Sequence, residues 1–345
     1  MGNSAPIDRS AFPAASSNSL RITLTPAVPA TPPDSNLLLA FHFGRGAAGA
    51  ETPGVVNTGI DPILQDDLHE CWWYEGPVEH RQVGNARIAE CGDFAVVIMQ
   101  VADAGPADFR AVTCGLYEEL LDAVGVTAHR NIVRFWNYFS DINLGEGDDE
   151  KYRQFSIGRA EAFEGRGLID EAVPAATAIG SVRDCDFTVI ALASKHEFHN
   201  VENPRQVSAY RYPRNYGPRS PKFSRAGCVR VDDQQLLLIS GTAAIIGHES
   251  MHAGDVRLQC EETLNNLRKL SEAVAEVGSV DADAVLDGGS VARVYLRHAA
   301  DVDDVRRRVE EFLGGRPESV AYLNAHICRR ELQIEIDAAT LVGPA

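Results

Sequence analysis

Residues 239–255 read Ile239-Ser-Gly-Thr-Ala-Ala-Ile-Ile-Gly-His-Glu-Ser-Met-His-Ala-Gly-Asp255, and two frames compete for them. Within the stretch, His248-Glu249-Ser250-Met251-His252 spells H-E-x-x-H. That motif binds zinc when a helix already runs through it, because i and i+4 then place both imidazoles on one face. Here it follows Leu236-Leu237-Leu238-Ile239, a buried-strand pattern, and Gly247 interrupts just before the first histidine. Asp255 is a good N-cap for a helix that starts after it. The second frame therefore reads strand, Gly-containing turn, loop, helix. In that frame His248 and His252 are loop residues, and no third ligand follows, since Glu272 and Glu276 occupy surface-type helix positions.

Working outward, Val256, Cys260, Leu264, Leu267 and Leu270 recur at helical spacing and predict a helix from Asp255 to about Val274. Val291 to His298 alternates as a strand. Val302 to Leu313 is a second amphipathic helix, ended by Gly314-Gly315. Val320 to Cys328 and Glu331 to Asp337 are two further strands, after a strand-rich Val229 to Ala244 with a turn at Asp232-Asp233. The order is ββ-α-β-α-ββ, an α+β class in which helices cover one face of a mixed sheet. A fainter copy precedes it: Glu90 to Met99 as turn and strand, Asp108 to Val124 as helix, Asn131 to Ile142 as an extended aromatic segment. Two copies of one fold are expected, the first degenerate. The expected division is a flexible arm over 1–20, an N-terminal domain over 21–200 and a C-terminal domain over 201–345 carrying most of the site.

The chain has 345 residues, 45% of them hydrophobic, and a formal charge of −17. That charge argues against nucleic-acid or anionic-membrane binding as the main task, and no apolar run is long enough to span a bilayer. The N-terminal stretch lacks the apolar core of a secretory signal. Seven widely spaced cysteines without C-x-x-C fit reduced cytoplasmic thiols.

Against this acidic background, Asn203 to Val231 holds seven basic residues (Arg205, Arg211, Arg214, Arg219, Lys222, Arg225, Arg230) and no acidic one, interleaved with Tyr210, Tyr212, Tyr216 and Phe223. It reads as a loop for a small, partly planar anion, with arginines for carboxylates and tyrosines for hydroxyls. The alternative is a surface loop that pairs with the acidic remainder. A smaller cluster, Lys151-Tyr152-Arg153-Gln154-Phe155-Ser156-Ile157-Gly158-Arg159, adds Arg153 and Arg159. In Leu332-Gln333-Ile334-Glu335-Ile336-Asp337 the apolar residues share one side and Gln333, Glu335 and Asp337 the other. If that side faces solvent, Glu335 is a surface charge; if it lines a cleft, Glu335 is a buried carboxyl suited to acid catalysis. Cys328 reads by default as a small buried hydrophobe.

Ser240-Gly241-Thr242, Gly254-Asp255-Val-Arg-Leu-Gln259 and Thr263-Leu-Asn-Asn-Leu-Arg-Lys-Leu270 resemble the strand–Gly–helix pattern of the RidA (YjgF) family, whose chains are much shorter. Asn57-Thr58-Gly59-Ile60-Asp61-Pro62, Tyr152-Arg153-Gln154-Phe155, Tyr216-Gly217-Pro218-Arg219-Ser220-Pro221-Lys222-Phe223-Ser224-Arg225 and Ser240 to Ser250 are together similar to the larger, two-domain chorismatase family, from about residue 36 onward. The resemblance implies two RidA-like domains and action on chorismate, a dicarboxylate with an enolpyruvyl ether, releasing pyruvate without metal or organic cofactor. It places the proton-donating glutamate of the last strand at Glu335. One branch of the family adds water; the other rearranges internally and aromatises to 3-hydroxybenzoate. Gly241 and Cys328 look like the pair that marks the aromatising branch. Arg153, Arg159, Arg219 and Arg225 then serve as candidate carboxylate anchors, Tyr212 and Tyr216 as hydrogen-bonding partners, and Gly241 leaves room for the ring or for a different pose. RidA proteins are trimers with clefts between subunits, whereas two fused copies can supply a cleft within one chain, so the oligomeric state stays open.

Overall fold

A computed structural model describes residues 20–27, 35–45, 52–168, 170–231, 234–286 and 290–342. The expected arm over 1–20, apart from Leu20, and the turn at Asp232-Asp233 lie outside the described residues. The chain opens with β1 (Leu20–Thr25), β2 (Ser35–Gly44), β3 (Val55–Asn57), the two-residue β4 (Asp61–Pro62) and β5 (Asp67–Glu75). β1, β5, β2 and β3 form a sheet in that order, which the sequence reading did not anticipate. Its strands lack a clean period of two: Leu38 to Phe43 and Cys71 to Tyr74 are buried on both faces.

There follow β6 (Glu79–Val83), β7 (Ala86–Glu90), β8 (Phe94–Val101), α1 (Pro106–Gly125), β9 (Asn131–Ser140), α2 (Lys151–Gly165), β10 (Ala175–Ser181) and β11 (Phe187–Ser194). After β12 (Phe198–Val201) come β13 (Ala226–Val231), β14 (Gln234–Ala243), the short β15 (Ile245–Ile246) and β16 (Glu249–Ser250), then α3 (Val256–Gly278), β17 (Ser290–Leu296), α4 (Val302–Phe312), β18 (Val320–Asn324) and β19 (Ile334–Val342). The two sheets run β10-β9-β11-β8-β7-β6 and β4-β18-β17-β19-β14-β13-β12. Their cores superpose in connectivity: β9 and β10 are parallel, as are β17 and β18, and the last strand of each unit inserts antiparallel beside the first of that pair. The molecule is thus α+β with two copies of one RidA-like unit. β12 already belongs to the second sheet, through its pairing with β13.

In each copy the helices cover one sheet face. α1 and α2 pack Phe109, Leu116, Leu120, Phe155 and Phe163 against Phe135, Val97 and Phe187. α3 and α4 pack Cys260, Leu267, Leu270, Val305 and Val309 against Leu237, Ile334 and Ile336. The opposite faces meet the first sheet in a shared core holding Phe41, Trp72, Trp136, Tyr138, Leu238, Tyr295 and Leu323. The copies are also joined along β10, where Gly180 and His326 exchange backbone hydrogen bonds of 2.8 and 2.7 Å. α1 and α2 touch backbone to side chain at Gly158, where a Cβ would collide with the Arg110 carbonyl and sit 2.9 Å from Thr113 Cβ. Among the described residues no helix is long and apolar enough to cross a membrane.

The opening stretch resolves in the second frame. Asp255 caps α3, accepting from the Arg257 and Leu258 N–H groups at 3.0 Å each. H-E-x-x-H lies on the β15–β16 hairpin and the turn after it, with His252 at φ 55°. The two histidines therefore share no helical face. His248 packs edge-on against Tyr216, and His252 lies 3.6 Å from Glu262.

Candidate active site

A cavity of about 380 Å³ opens between the copies. Its walls come from α2 of the first copy, from β14, β19 and the β18–β19 connection of the second, and from the basic segment ahead of β13. Arg153, Tyr212, Tyr216, Arg225, Gly241, Cys328 and Glu335 all line it, so seven of the nine expected residues converge from separations of up to 182 positions.

Arg159 and Arg219 do not line the cavity. Arg159 is six residues beyond Arg153 on α2, which turns it about 120° round the helix. It is buried behind the wall, with its guanidinium 4.8 Å over the Phe155 ring and beside the Tyr117 hydroxyl. Arg219 points outward and pairs with Glu164 at 2.9 Å, each side chain 46% exposed. More broadly, Arg205, Arg211, Arg214, Arg219 and Lys222 each have a carboxylate partner on the acidic remainder. Five of the seven basic residues thus follow the surface-pairing alternative, and Arg225 is the one that lines the cavity.

Glu335 lies on β19, opposite Tyr295 on β17 and Ala243 on β14. Ile334 and Ile336 face α3 and α4, so period two turns Glu335 and Asp337 to the other side. That side is a cleft and not solvent: Glu335 is 5% exposed and Asp337 1%. Burial, and after it the Asp337 charge, push the Glu335 carboxyl up to about 8; Arg134 and Arg225 pull the other way. Glu335 is therefore a neutral acid at pH 7.

Gly241 opens space for this acid and not only for a ligand. A Cβ built there would strike Glu335 Oε1 and come within 2.8 Å of its Cδ and 3.3 Å of Thr177 Cγ2. The Gly241 N–H donates to Thr177 Oγ1 at 3.1 Å. Cys328 is beside Glu335, and burial pushes its thiol up to about 12, with Glu335 adding to the shift. It is a thiol and not a thiolate, which makes it a donor rather than a base.

The cationic groups have donors to spare. Arg225 spends Nη2 on the Val207 carbonyl (2.9 Å) and the Tyr212 hydroxyl (2.7 Å), while its buried Nε has no hydrogen-bond partner among the described residues. Arg153 is held by Glu150 at 3.3 Å and Asp148 at 3.6 Å. Burial pushes the Glu150 carboxyl upward, with Arg153 opposing.

Sequence reasoning missed Arg329, Glu150 and Asn215 as wall residues and gave Tyr152 no role. Arg329 lies 4.0 Å over the Tyr216 ring and 5.3 Å over Tyr212, anchored by Nη1 to the His248 carbonyl and Ser250 Oγ at 2.9 and 3.0 Å. Its adjacency to Cys328 was the available signal. α2 itself was read as a basic cluster and not as a helix, because its buried side includes Lys151, Ser156 and Arg159 and so shows no apolar stripe.

Residues 70–193 match the model of the N-terminal part of FkbO/Hyg5-like chorismatases. A chorismatase of Streptomyces rapamycinicus is 34% identical over 312 residues, covering 88% of this chain and 92% of the relative. A 3-hydroxybenzoate synthase of Streptomyces hygroscopicus is 33% identical, covering 79% and 81%. A chorismatase crystal structure superposes with a TM-score of 0.80 at 28% identity, covering 94% of this chain and 98% of that one. With this coverage, and with its cavity built from both copies of the repeat, the chain belongs to the chorismatase family.

Proposed function

We propose that the protein converts chorismate to pyruvate and 3-hydroxybenzoate. The observation that carries this reading is Glu335, a buried carboxyl that holds its proton to about pH 8 in a cavity walled by Arg153, Arg225 and Arg329. A dicarboxylate satisfies the unspent arginine donors, each charge-assisted bond contributing about 1.5–3 kcal/mol. It also brings a vinyl ether, whose methylene carbon takes a proton only from an acid that is still protonated.

Glu335 delivers its proton to that methylene, leaving an oxocarbenium ion whose ether bond to the ring is weakened. The neighbouring ring hydroxyl then displaces the ether oxygen from its ring carbon, and the electron pair of the breaking bond becomes the carbonyl of pyruvate. The arene oxide so formed opens, the ring carbon loses its hydrogen, and 3-hydroxybenzoate results. No water is consumed. Glu335, now a carboxylate, takes the proton that the attacking hydroxyl gives up, and the proton lost from the ring carbon is matched by the one the oxide oxygen takes up to become the phenol. Cys328, a thiol beside it, donates a hydrogen bond to the ring oxygen as the oxide opens.

The aromatising branch is supported by Gly241 and Cys328 flanking one acid. Incubation with chorismate, with the products separated by chromatography, tests the reading. 3-Hydroxybenzoate and pyruvate in equal amounts are expected, and none of either with Glu335→Gln. A dihydroxycyclohexadiene carboxylate as main product would assign the hydrolytic branch; intact chorismate would end the proposal.

A further inference from the structure

Asp337 follows Glu335 on β19 with its side chain on the same face, and it sits in a buried charge cluster that no part of the reaction uses. Its Oδ2 accepts from Arg134 Nη2 at 3.0 Å and from Thr177 Oγ1 at 2.7 Å, and its Oδ1 lies 3.4 Å from Arg293 Nη1. Arg293 is bound on its other edge by Glu70, which accepts from Nε at 2.7 Å and from Nη2 at 2.6 Å. All four charged side chains are at most 3% exposed. The cluster ties the three sheets together: Glu70 is on β5, Arg134 on β9, Arg293 on β17 and Asp337 on β19.

Two carboxylates balance two guanidiniums here. Two arginines and the hydroxyls of Thr177 and Tyr295 converge on the Asp337 carboxyl. An ionised Glu335 would therefore put a second negative charge beside the Asp337 carboxylate, on a side chain that is itself buried. We propose that Asp337 is a positioning residue for the reaction: by claiming both buried guanidiniums, it keeps Glu335 in the protonated form that attacks the substrate. The inference rests on the reading of Glu335 as the acid.

The other groups facing Glu335 fit this assignment. From β9, Arg134 opposes Asp337 but spends Nη2 on it and on Thr177; its Nε and Nη1 have no hydrogen-bond partner among the described residues. From the basic segment, Arg225 opposes it at the cavity wall. Cys328 and, from α2, Tyr152 are both held neutral by burial. Tyr295, paired with Glu335 across β17, is also held neutral by burial and by Asp337. Among these groups Asp337 is the carboxyl on the same strand face as Glu335, and Arg134 and Arg225 are the cations that oppose it.

The test is the pH dependence of turnover together with the infrared carbonyl band of Glu335, isolated as the band lost in Glu335→Gln. In the native protein that band is expected at pH 7. Asp337→Asn should lower the pH at which both the band and turnover are lost. Turnover at pH 7 falls about tenfold for each unit by which the midpoint drops below 7, with recovery in acid. Arg134→Met should move both in the opposite direction. A variant that loses rate equally at all pH, with the band unmoved, would make Asp337 a purely structural residue and overturn the proposal. So would a native Glu335 already ionised at pH 7, a result that does not depend on the Asp337 or Arg134 variants folding. If instead the band shifts as expected while Glu335→Gln still turns over chorismate, the acid assignment fails and the control of Glu335 by Asp337 stands.

Discussion

Gly241→Ala is the sharpest perturbation the site offers. The new methyl would overlap Glu335 Oε1, lie 2.8 Å from Glu335 Cδ and 3.3 Å from Thr177 Cγ2. Carbon atoms prefer separations of about 3.5–4.0 Å, so something must move on the order of 1 Å. Gly241 lies in a register break of β14, but the backbone is pinned on either side of it, by Ser240 N–H donating to the Arg225 carbonyl and by Thr242 pairing with Ile336 on β19. Thr177 is fixed by Asp337 and by the Gly241 N–H. The Glu335 carboxyl must therefore rotate. Overpacking of this kind costs about 1–3 kcal/mol of stability. A catalytic group misplaced by about 1 Å loses about 10²-fold in rate, or about 2.7 kcal/mol of barrier. Saturating-substrate initial rates, the chromatographic ratio of 3-hydroxybenzoate to diene diol, and a thermal melt read the three consequences. The rate should fall, the ratio should move toward the diol, and the melt should drop by several degrees. A variant with a rate within about twofold of the parent and an unchanged product ratio would refute the idea that the space at Gly241 sets the position of the acid.

Arg225→Met should raise KM for chorismate about 10- to 100-fold with a smaller effect on kcat, since it removes a charge-assisted bond of about 1.5–3 kcal/mol; steady-state kinetics measure it. Glu335 also couples stability to pH: its folded value, about 8, lies above its ordinary 4.5. The unfolded chain therefore releases this proton first, and the stability the neutral acid confers is complete below pH 4.5 and lost as pH rises through 8. Glu335→Gln, which stays neutral, should melt above the parent by a margin that grows over this window to a few kcal/mol, at about 1.4 kcal/mol per unit. Glu70→Ala leaves Arg293 short of its bidentate partner and should cost about 3–5 kcal/mol in chemical denaturation. His252→Ala and dialysis against EDTA should both leave turnover within about twofold, because the hairpin does not present H-E-x-x-H on a helix.

What could be read from the sequence was what repeats locally. α3, α4 and β17 announce themselves by apolar period, and Asp255 announces its helix by capping chemistry. Glu335 could be placed on a strand face by alternation, but whether that face was wet depended on what packs over it. β19 also starts later and runs further than the alternation suggests, because Arg329 to Leu332 form a turn and Ala338 to Val342 continue against β14. α2 was hidden by buried polar residues, and the first sheet by strands apolar on both faces. The choice between Arg219 and Arg225, six residues apart, is made by tertiary contacts: Glu164 takes one and the cavity the other. The Glu70–Arg293–Asp337–Arg134 cluster spans pairs 203 and 223 residues apart, for which no local pattern exists.

The central claim is that Glu335 gives its proton to the enolpyruvyl methylene and that the ring then aromatises without water. Turnover of chorismate in D₂O containing ¹⁸O-labelled water, with both products trapped at once and weighed by mass spectrometry, tests it directly. The account predicts pyruvate with one solvent deuterium in its methyl group and 3-hydroxybenzoate with no solvent oxygen, and neither product from Glu335→Gln. Solvent oxygen in the aromatic product, unlabelled pyruvate, or normal turnover by Glu335→Gln would contradict it.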